Sequence, residues 1–329
     1  MFFVGSPRNA EINDAAFRNR LQKNFDHLSK WAKRQGLGAY RIYDGDIPDY
    51  PFSIDWYQGR IHLLHYPRSR AVERGTATIQ RQRIAPAVRE ILGVPEEKVF
   101  TKVHAPKVWG AEQYKKLGES GEFFTVAEQG LQFWINLGDY LDSGLFLDHR
   151  LTRARVRKEA QGKRFLNLFG YTGSFTVYAA AGGAAHSTTV DTSRTYLDWA
   201  TRNLSLNYLD GPGHEMICSD AVQWLLHHAN GRVRYDLIVL DPPSFSASKK
   251  MKRRFEIQRD HPQLIEQAVS LLNPGGSLYF STNYQQFQLR YQAVAGIEIE
   301  ELTPRSIPDD FRNKRIHRCW QIRKNVVKD

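Results

Sequence analysis

The sequence predicts an α/β protein, with a doubly wound parallel sheet in its second half and a smaller α+β module in its first. Three observations predict it. From about Leu145 onward, short apolar runs alternate with helical stretches, the pattern of βαβ units. The first of these runs ends in a glycine-bearing turn, Asn167-Leu-Phe-Gly-Tyr-Thr-Gly-Ser174. The next three each deliver an acid, Asp191, Asp220 and Asp241, to the carboxyl edge where open α/β sheets bind ligands.

The elements follow in order. Residues Ala15 to Arg34 have helical spacing, with Phe17, Leu21, Phe25, Leu28 and Trp31 on one stripe, and Gly36 and Gly38 end the run. Short β-like runs come next at Tyr40 to Tyr43, Phe52 to Trp56 and Arg60 to Tyr66. Tyr57-Gln58-Gly59 joins the second and third as a hairpin. A helix is expected over Ile79 to Leu92, and two strands at Phe123 to Val126 and Phe133 to Leu137, turning at Glu128-Gln-Gly130. In the second half the strands are Phe165 to Phe169, Ser187 to Val190, Glu215 to Cys218, Leu237 to Leu240 and Ser277 to Ser281. Helices such as Tyr196 to Leu206 and Gln263 to Leu272 lie between them. The expected division is a helical arm over residues 1–36, a small α+β domain offering RNA contact over 37–142, and the sheet domain over 143–329.

Composition narrows the class. With 329 residues, of which 41% are hydrophobic, the chain has material for about two packed domains of ~150 residues. No apolar run approaches the ~20 residues that cross a bilayer, and the first residues lack the layout of a signal peptide. Two cysteines make no disulfide framework, and no metal-ligand spacing is present. The expectation is a soluble cytoplasmic protein with no membrane partner and no metal. Forty-six Lys and Arg against 35 Asp and Glu give a net charge of +11, which favours a polyanionic partner. The charge is clustered: Lys249, Lys250, Lys252, Arg253, Arg254 and Arg259 follow the Asp241 motif. A second cluster runs Arg150, Arg153, Arg155, Arg157, Lys158, and a third spans Arg312 to Lys324. Basic residues beside a candidate site read as a track for nucleic acid.

Each strand-end acid alone is explained by helix capping. Three in succession make a row suited to a nucleoside. Asp191 is placed to accept both ribose hydroxyls, and Asp220 to take an adenine amine. Asp241-Pro-Pro-Ser-Phe245 then stands at the reacting end, because two prolines forbid both strand continuation and an immediate helix. The turn lacks the full G-x-G-x-x-G and the lysine of a phosphate loop, which disfavours an NAD-dependent dehydrogenase.

This quartet resembles the Rossmann-like class I S-adenosylmethionine-dependent methyltransferases, in which D-P-P-x-F marks enzymes that modify RNA and DNA bases. Ser143-Gly-Leu-Phe-Leu-Asp-His-Arg150 resembles the "G-x-F-L-D-x-R" segment of bacterial 23S rRNA methyltransferases. Gln113 to Phe123, Asn167 to Val177, Val190 to Asn207, Gln258 to His261 and Asp310 to Trp320 resemble the C-terminal, guanine-N7 domain of the bifunctional 23S rRNA guanine N2/N7 methyltransferase family. The likeness runs from about Phe17 onward. Its one departure is Asp310-Phe-Arg-Asn-Lys-Arg315, where the family's "DFxxNR" is spaced differently. The resemblance implies S-adenosylmethionine as cofactor, held by Phe146, Asp148, Arg150, Asn167, Phe169, Tyr171, Gly173, Asp191, Ser193, Asp220 and Asp241. It implies catalysis by Asp241, Pro242 and Phe245, and an RNA grip by Lys249, Lys250, Arg253, Arg254 and Arg259. The implied substrate is 23S rRNA or an assembling large subunit. The family's upstream N2-methylating half has no counterpart here, so the chain is expected to be either a stand-alone protein with a separate guanine-N2 methyltransferase partner or an excised domain, and Met1 with the non-matching Phe2 to Asp14 favours the first.

A residue-level argument bears on the acceptor. Pyrimidine C5 needs a cysteine nucleophile, which in such relatives follows the fifth strand. Here that position reads Phe280-Ser-Thr-Asn-Tyr284, and Cys218 and Cys319 read as structural. A nitrogen acceptor is favoured, guanine N7 first. Cytosine C5, guanine N2 and a non-catalytic RNA-binding module stand as the alternatives.

Overall fold

The computed structural model describes residues 14–66, 84–103, 118–246 and 255–326, and divides into two compact units, Met1–Val108 and Trp109–Asp329. In the first unit, helix α1 (Asp14–Arg34) precedes strands β1 (Ala39–Asp44), β2 (Phe52–Tyr57) and β3 (Arg60–His65); a helix over residues 84–92 (α2) leads to β4 (Val99–Val103). The sheet order is β1-β2-β3-β4, antiparallel except for the parallel β3/β4 pair. The hairpin between β2 and β3 turns on Gln58 and Gly59, both at positive φ (45° and 83°), which matches the right-handed twist of the strands.

The predicted helical arm is not a separate element. Phe17 and Leu21 of α1 are fully buried in one core with Ile42, Tyr43, Ile54, Leu63 and Val88, and Phe17 stacks on Tyr50 at 4.8 Å. An amphipathic stripe of this kind gains its stability from burial against a sheet, which is where it lies.

The second unit opens with the hairpin β5 (Phe124–Glu128) and β6 (Leu131–Ile135). This moves the division toward the N-terminus of the expected 142/143 boundary. The hairpin is tied to the larger unit, since the Trp134 amide donates to Asn203 Oδ1 (2.9 Å) and Tyr178 donates its hydroxyl to Glu128 (2.9 Å). Then follow α3 (Arg150–Glu159), β7 (Arg164–Leu168), α4 (Ser174–Ala181), β8 (His186–Asp191), α5 (Arg194–Leu206), β9 (His214–Cys218), α6 (Ala221–His228) and β10 (Tyr235–Leu240). A small ladder, β11 (Phe245–Ser246) with β12 (Phe255–Glu256), precedes α7 (Ile257–Ser270), β13 (Leu272–Thr282), β14 (Ile297–Glu301), α8 (Thr303–Ser306) and β15 (Arg318–Lys324). Helix α7 starts six residues before the expected Gln263, at Ile257, and carries Pro262 within it.

The sheet order is β14-β15-β13-β10-β7-β8-β9. Strands β7, β8, β9, β10 and β13 are parallel; β15 is antiparallel to both neighbours. Alternate residues of the central strands enter two cores. Leu166, Leu168, Ile238, Leu240, Leu278 and Phe280 face one layer with α6 and α7, while Phe165, Leu237, Val239 and Tyr279 face Val156 of α3 and Phe175 of α4. Coverage on both faces explains why Leu237-Ile-Val-Leu240 is apolar throughout. Each such side chain contributes about 1.5–3 kcal/mol by burial. The chain runs outward from β7 to β9 and returns to place β10 on β7's other side, so the order reverses between β7 and β10. Among the described residues no helix is long and apolar enough to cross a membrane.

Candidate active site at the strand tips

The β7–α4 turn crosses the point where the sheet order reverses. Phe169, Tyr171 and Gly173 all take positive φ (59°, 49° and 72°). Two non-glycine residues there store backbone strain that the surroundings must hold. The glycines are steric requirements: a Cβ on Gly170 would lie 2.3 Å from Thr189 Cγ2, and one on Gly173 2.6 Å from Ala200 Cβ. The turn delivers the Tyr171 amide to Asp191 Oδ2, while the Ser193 amide donates to Oδ1, both at 2.9 Å. Burial pushes the Asp191 carboxyl above its ordinary range, opposed by backbone N–H groups of Ser193, Tyr171 and Thr192. Ser193 caps α5, accepting from the Tyr196 amide (3.3 Å). Asp220 caps α6, with Val222 and Gln223 amides both on Oδ1 (2.9 and 3.1 Å), which leaves Oδ2 uncommitted. The Asn167 amide is buried and donates to Thr176 Oγ1 (3.0 Å), bracing α4. Half-exposed Phe146 tilts against Tyr171 (5.0 Å), and Phe169 faces Phe255 (6.1 Å).

At the end of β10, Asp241 Oδ1 accepts a hydrogen bond from Ser281 Oγ (2.6 Å), and Oδ2 lies 3.5 Å from His149 Nε2. Pro242 is buried behind it, and Ser244 donates to Asn283 Oδ1 (2.7 Å). The prolines therefore sit on a braced ledge. Phe245 is 38% exposed and meets Tyr284 edge-on at 5.9 Å. The β11/β12 ladder pairs Phe245 with Glu256. Lys249, Lys250, Arg253 and Arg254, expected to grip RNA, lie outside the described residues. Arg259 is half-exposed, with Asp260 at 2.6 Å and Glu256 at 3.3 Å, so it is not a bare phosphate anchor.

Two expectations are corrected. Arg150, expected at the cofactor, is buried, its Nε on Glu128 (3.2 Å) and its guanidinium on Asp310 (3.0 Å). Burial works against its charge, but Asp310 and Glu128 more than offset this and hold its pKa above the usual value. Arg153, read as part of a basic track, is likewise buried on Glu128 (2.7 Å). A buried charge persists only when paired, and Glu128 supplies that pairing from the hairpin. The second correction concerns Cys218, expected on a buried strand: it is exposed at the end of β9.

The sequence missed His149 and His317. Asp148, expected at the cofactor, accepts from or shares a proton with His317 Nδ1 (2.8 Å), and His317 Nε2 meets Ser306 Oγ (2.9 Å). His149 and His317 stack at 4.6 Å with planes 9° apart. Ligand atoms of Asp148, His149 and His317 lie within 4.8 Å of one another, close enough to suggest a metal. Imidazole lone pairs lie in the ring plane, however, and two parallel, stacked rings do not aim them at one ion. The trio is held instead by the Asp148–His317 hydrogen bond and the ring stack. Both histidines occupy motif stretches already singled out, Leu147-Asp-His-Arg150 and Ile316-His317, and lacked only a visible role.

A parallel sheet with one antiparallel strand between its last two neighbours, and acids on three strand tips, defines a Rossmann-like methyltransferase. The family of S-adenosylmethionine-dependent methyltransferases matches residues 34–291, and the chain belongs to it. Among its relatives, "Ribosomal RNA large subunit methyltransferase K" of Neisseria meningitidis is 50% identical over 308 residues, 93% of this chain and 86% of that one. "Ribosomal RNA large subunit methyltransferase K/L" of Hahella chejuensis is 49% identical over 323 residues, 96% of this chain but 44% of that one. The chain thus spans less than half the length of the K/L relatives. A solved methyltransferase complexed with S-adenosylhomocysteine superposes with a TM-score of 0.76 at 25% identity, covering 97% of this chain and 83% of that one. The cofactor is S-adenosylmethionine. The tip residues fit it: Asp191 and Asp220 stand at successive strand ends beside a turn whose glycines keep the backbone close.

Proposed function

We propose that the chain methylates N7 of a guanine in 23S ribosomal RNA, in the cytoplasm, on free rRNA or an assembling large subunit. The relatives' names support the substrate class. The observation that carries the acceptor is a carboxylate at the reacting tip with no thiol to replace it. Asp241 is braced by Ser281 beside exposed Phe245, whereas Cys319 is buried and its thiol pushed up to about 12 by desolvation. Such a thiol is inert at neutral pH. Cys218 belongs to β9, three strands from β10.

S-adenosylmethionine supplies an electrophilic methyl group. Guanine N7 has an in-plane lone pair and no proton to lose, so the protein's task is alignment and stabilisation of the purinium charge. Asp241 and the Pro242 and Pro243 carbonyls face that charge, and Phe245 stacks on the base. In A-form RNA, N7 lies in a groove too narrow for side chains, so the base must be unpaired or flipped out. Asp191 and Ser193 with Asp220 hold the cofactor's ribose and adenine, and Phe146 and Tyr171 line it. Lys249, Lys250, Arg253 and Arg254 grip flanking phosphates.

Mapping modified nucleotides in 23S rRNA from a deletion strain should show one 7-methylguanosine lost and restored by the parent gene. Asp241→Asn keeps shape but removes charge, so turnover should fall by ~10-fold or more at unchanged cofactor affinity. Cys218→Ala with Cys319→Ala should leave methyl transfer largely intact, and 5-fluorocytosine RNA should form no covalent adduct. A trapped adduct would replace this reading with C5 chemistry.

A further inference from the structure

The proposed reaction leaves one buried titratable group beside Asp241 without a task. His149 is buried, with Nε2 3.5 Å from Asp241 Oδ2 and 3.8 Å from Asp148 Oδ2. Its Nδ1 is buried and has no hydrogen-bond partner. This decides the tautomer of the neutral ring. A proton on Nδ1 would be a buried donor with nothing to receive it, while a bare Nε2 faced two carboxylates. The proton therefore sits on Nε2, toward the acids. The ring is held in place by its stack on His317 and an edge contact with Phe175 at 5.7 Å. His317 is itself fixed by Asp148 and Ser306. Arg153 also lies near and is neutralised by Glu128.

We propose that His149 is a positioning residue for Asp241. Its Nε2 stands 3.5 Å from Oδ2 while Ser281 holds Oδ1, so a donor beside each oxygen sets the orientation of the carboxylate toward the methyl acceptor. The 3.5 Å separation is long for a hydrogen bond, and contacts of this kind tighten in reacting complexes. The inference rests on the reading that Asp241 faces the acceptor.

His149→Phe keeps the ring and its stack but removes the donor, and His149→Gln returns one. His149→Phe should lower kcat by ~10-fold or more, with S-adenosylmethionine affinity and the KM for RNA within about 3-fold of the parent. His149→Gln should recover most of the loss, which a purely packing role would not allow. Asp241→Asn, run in parallel, separates the two claims. A fully active Asp241→Asn removes the reading of the site, whereas an impaired Asp241→Asn beside a fully active His149→Phe removes only the role of His149. Equal defects in His149→Phe and His149→Gln, with both folded, would also overturn it. Nitrogen-15 NMR of the unaltered protein should show His149 protonated on Nε2. The opposite tautomer would sink the proposal even if no variant folds.

Discussion

Asp191 is asked to do two things. Its two oxygens receive the Tyr171 and Ser193 amides, which fixes the strained β7–α4 turn against the end of β8. In the proposed function its remaining lone pairs accept the ribose hydroxyls. Only one of these roles responds to cofactor. Asp191→Ala should weaken S-adenosylmethionine binding by roughly 1–3 kcal/mol, about 5- to 150-fold, through lost charge-assisted hydrogen bonds. Isothermal calorimetry on a variant that melts as one cooperative species would measure it. An unchanged affinity would leave Asp191 as a turn anchor alone. Burial that lifts its carboxyl pKa makes the site sensitive to what replaces water there, and ribose hydroxyls are suited to that.

At the scale of elements, the Glu128 side chain joins the hairpin β5/β6 to both α3 and α4. Glu128 ends β5, is 1% exposed, and receives Arg150, Arg153 and the Tyr178 hydroxyl. Removing it leaves two buried guanidinium groups short of a partner. Glu128→Ala should cost ~3–5 kcal/mol, read as a lower urea midpoint with little change in m. A loss below about 1 kcal/mol would mean that solvent reaches the arginines. This hub was not legible in the sequence, because Glu128 and Asp310 stand 22 and 160 residues from Arg150. Charge counting put Arg150 and Arg153 on a surface track for that reason. The central strands were legible because burial on both faces leaves apolar runs bounded by polar residues. Strands β14 and β15 were not: Ile297–Glu301 and Arg318–Lys324 mix apolar with charged residues, having Glu298, Glu300, Arg318 and Arg323 among their members. Their pairing depends on register with β13, which is long-range. The strand-tip acids were legible from spacing. The His149–His317 stack was not, since it forms only when α8 and β15 close on the sheet.

For the molecule as a whole, acid should act through histidine before it acts through carboxylates. His62 in the first unit is lowered to about 3, by burial first and then by Lys102 and Arg41. His149 in the second unit is lowered by burial, against the pull of Asp241 and Asp148. Each binds a proton less readily in the native state than in the unfolded chain, where the ordinary value is about 6.5. Stability from these groups is therefore fully present above pH ~6.5 and is lost as pH falls, at up to ~1.4 kcal/mol per pH unit per group until the folded pKa is reached. Asp139 responds later: burial pushes its carboxyl up, but hydrogen bonds from Asn136, Ser120 and Gly121 outweigh that and hold it at about 2. Its stabilising contribution is lost only as pH falls through ~4 and below. Between pH 6.5 and 5 the histidines thus act alone of these three. Urea unfolding followed by tryptophan fluorescence should show the midpoint falling across that window for each unit. His62→Phe should flatten the fall for the first unit and leave the second unchanged, whereas His149→Phe should only lessen the fall for the second, where burial also lowers His214 and His261. A midpoint flat from pH 6.5 to 5 in the unaltered protein would mean that both rings take up protons in the native state, and with them the tautomer argument for His149 would fail.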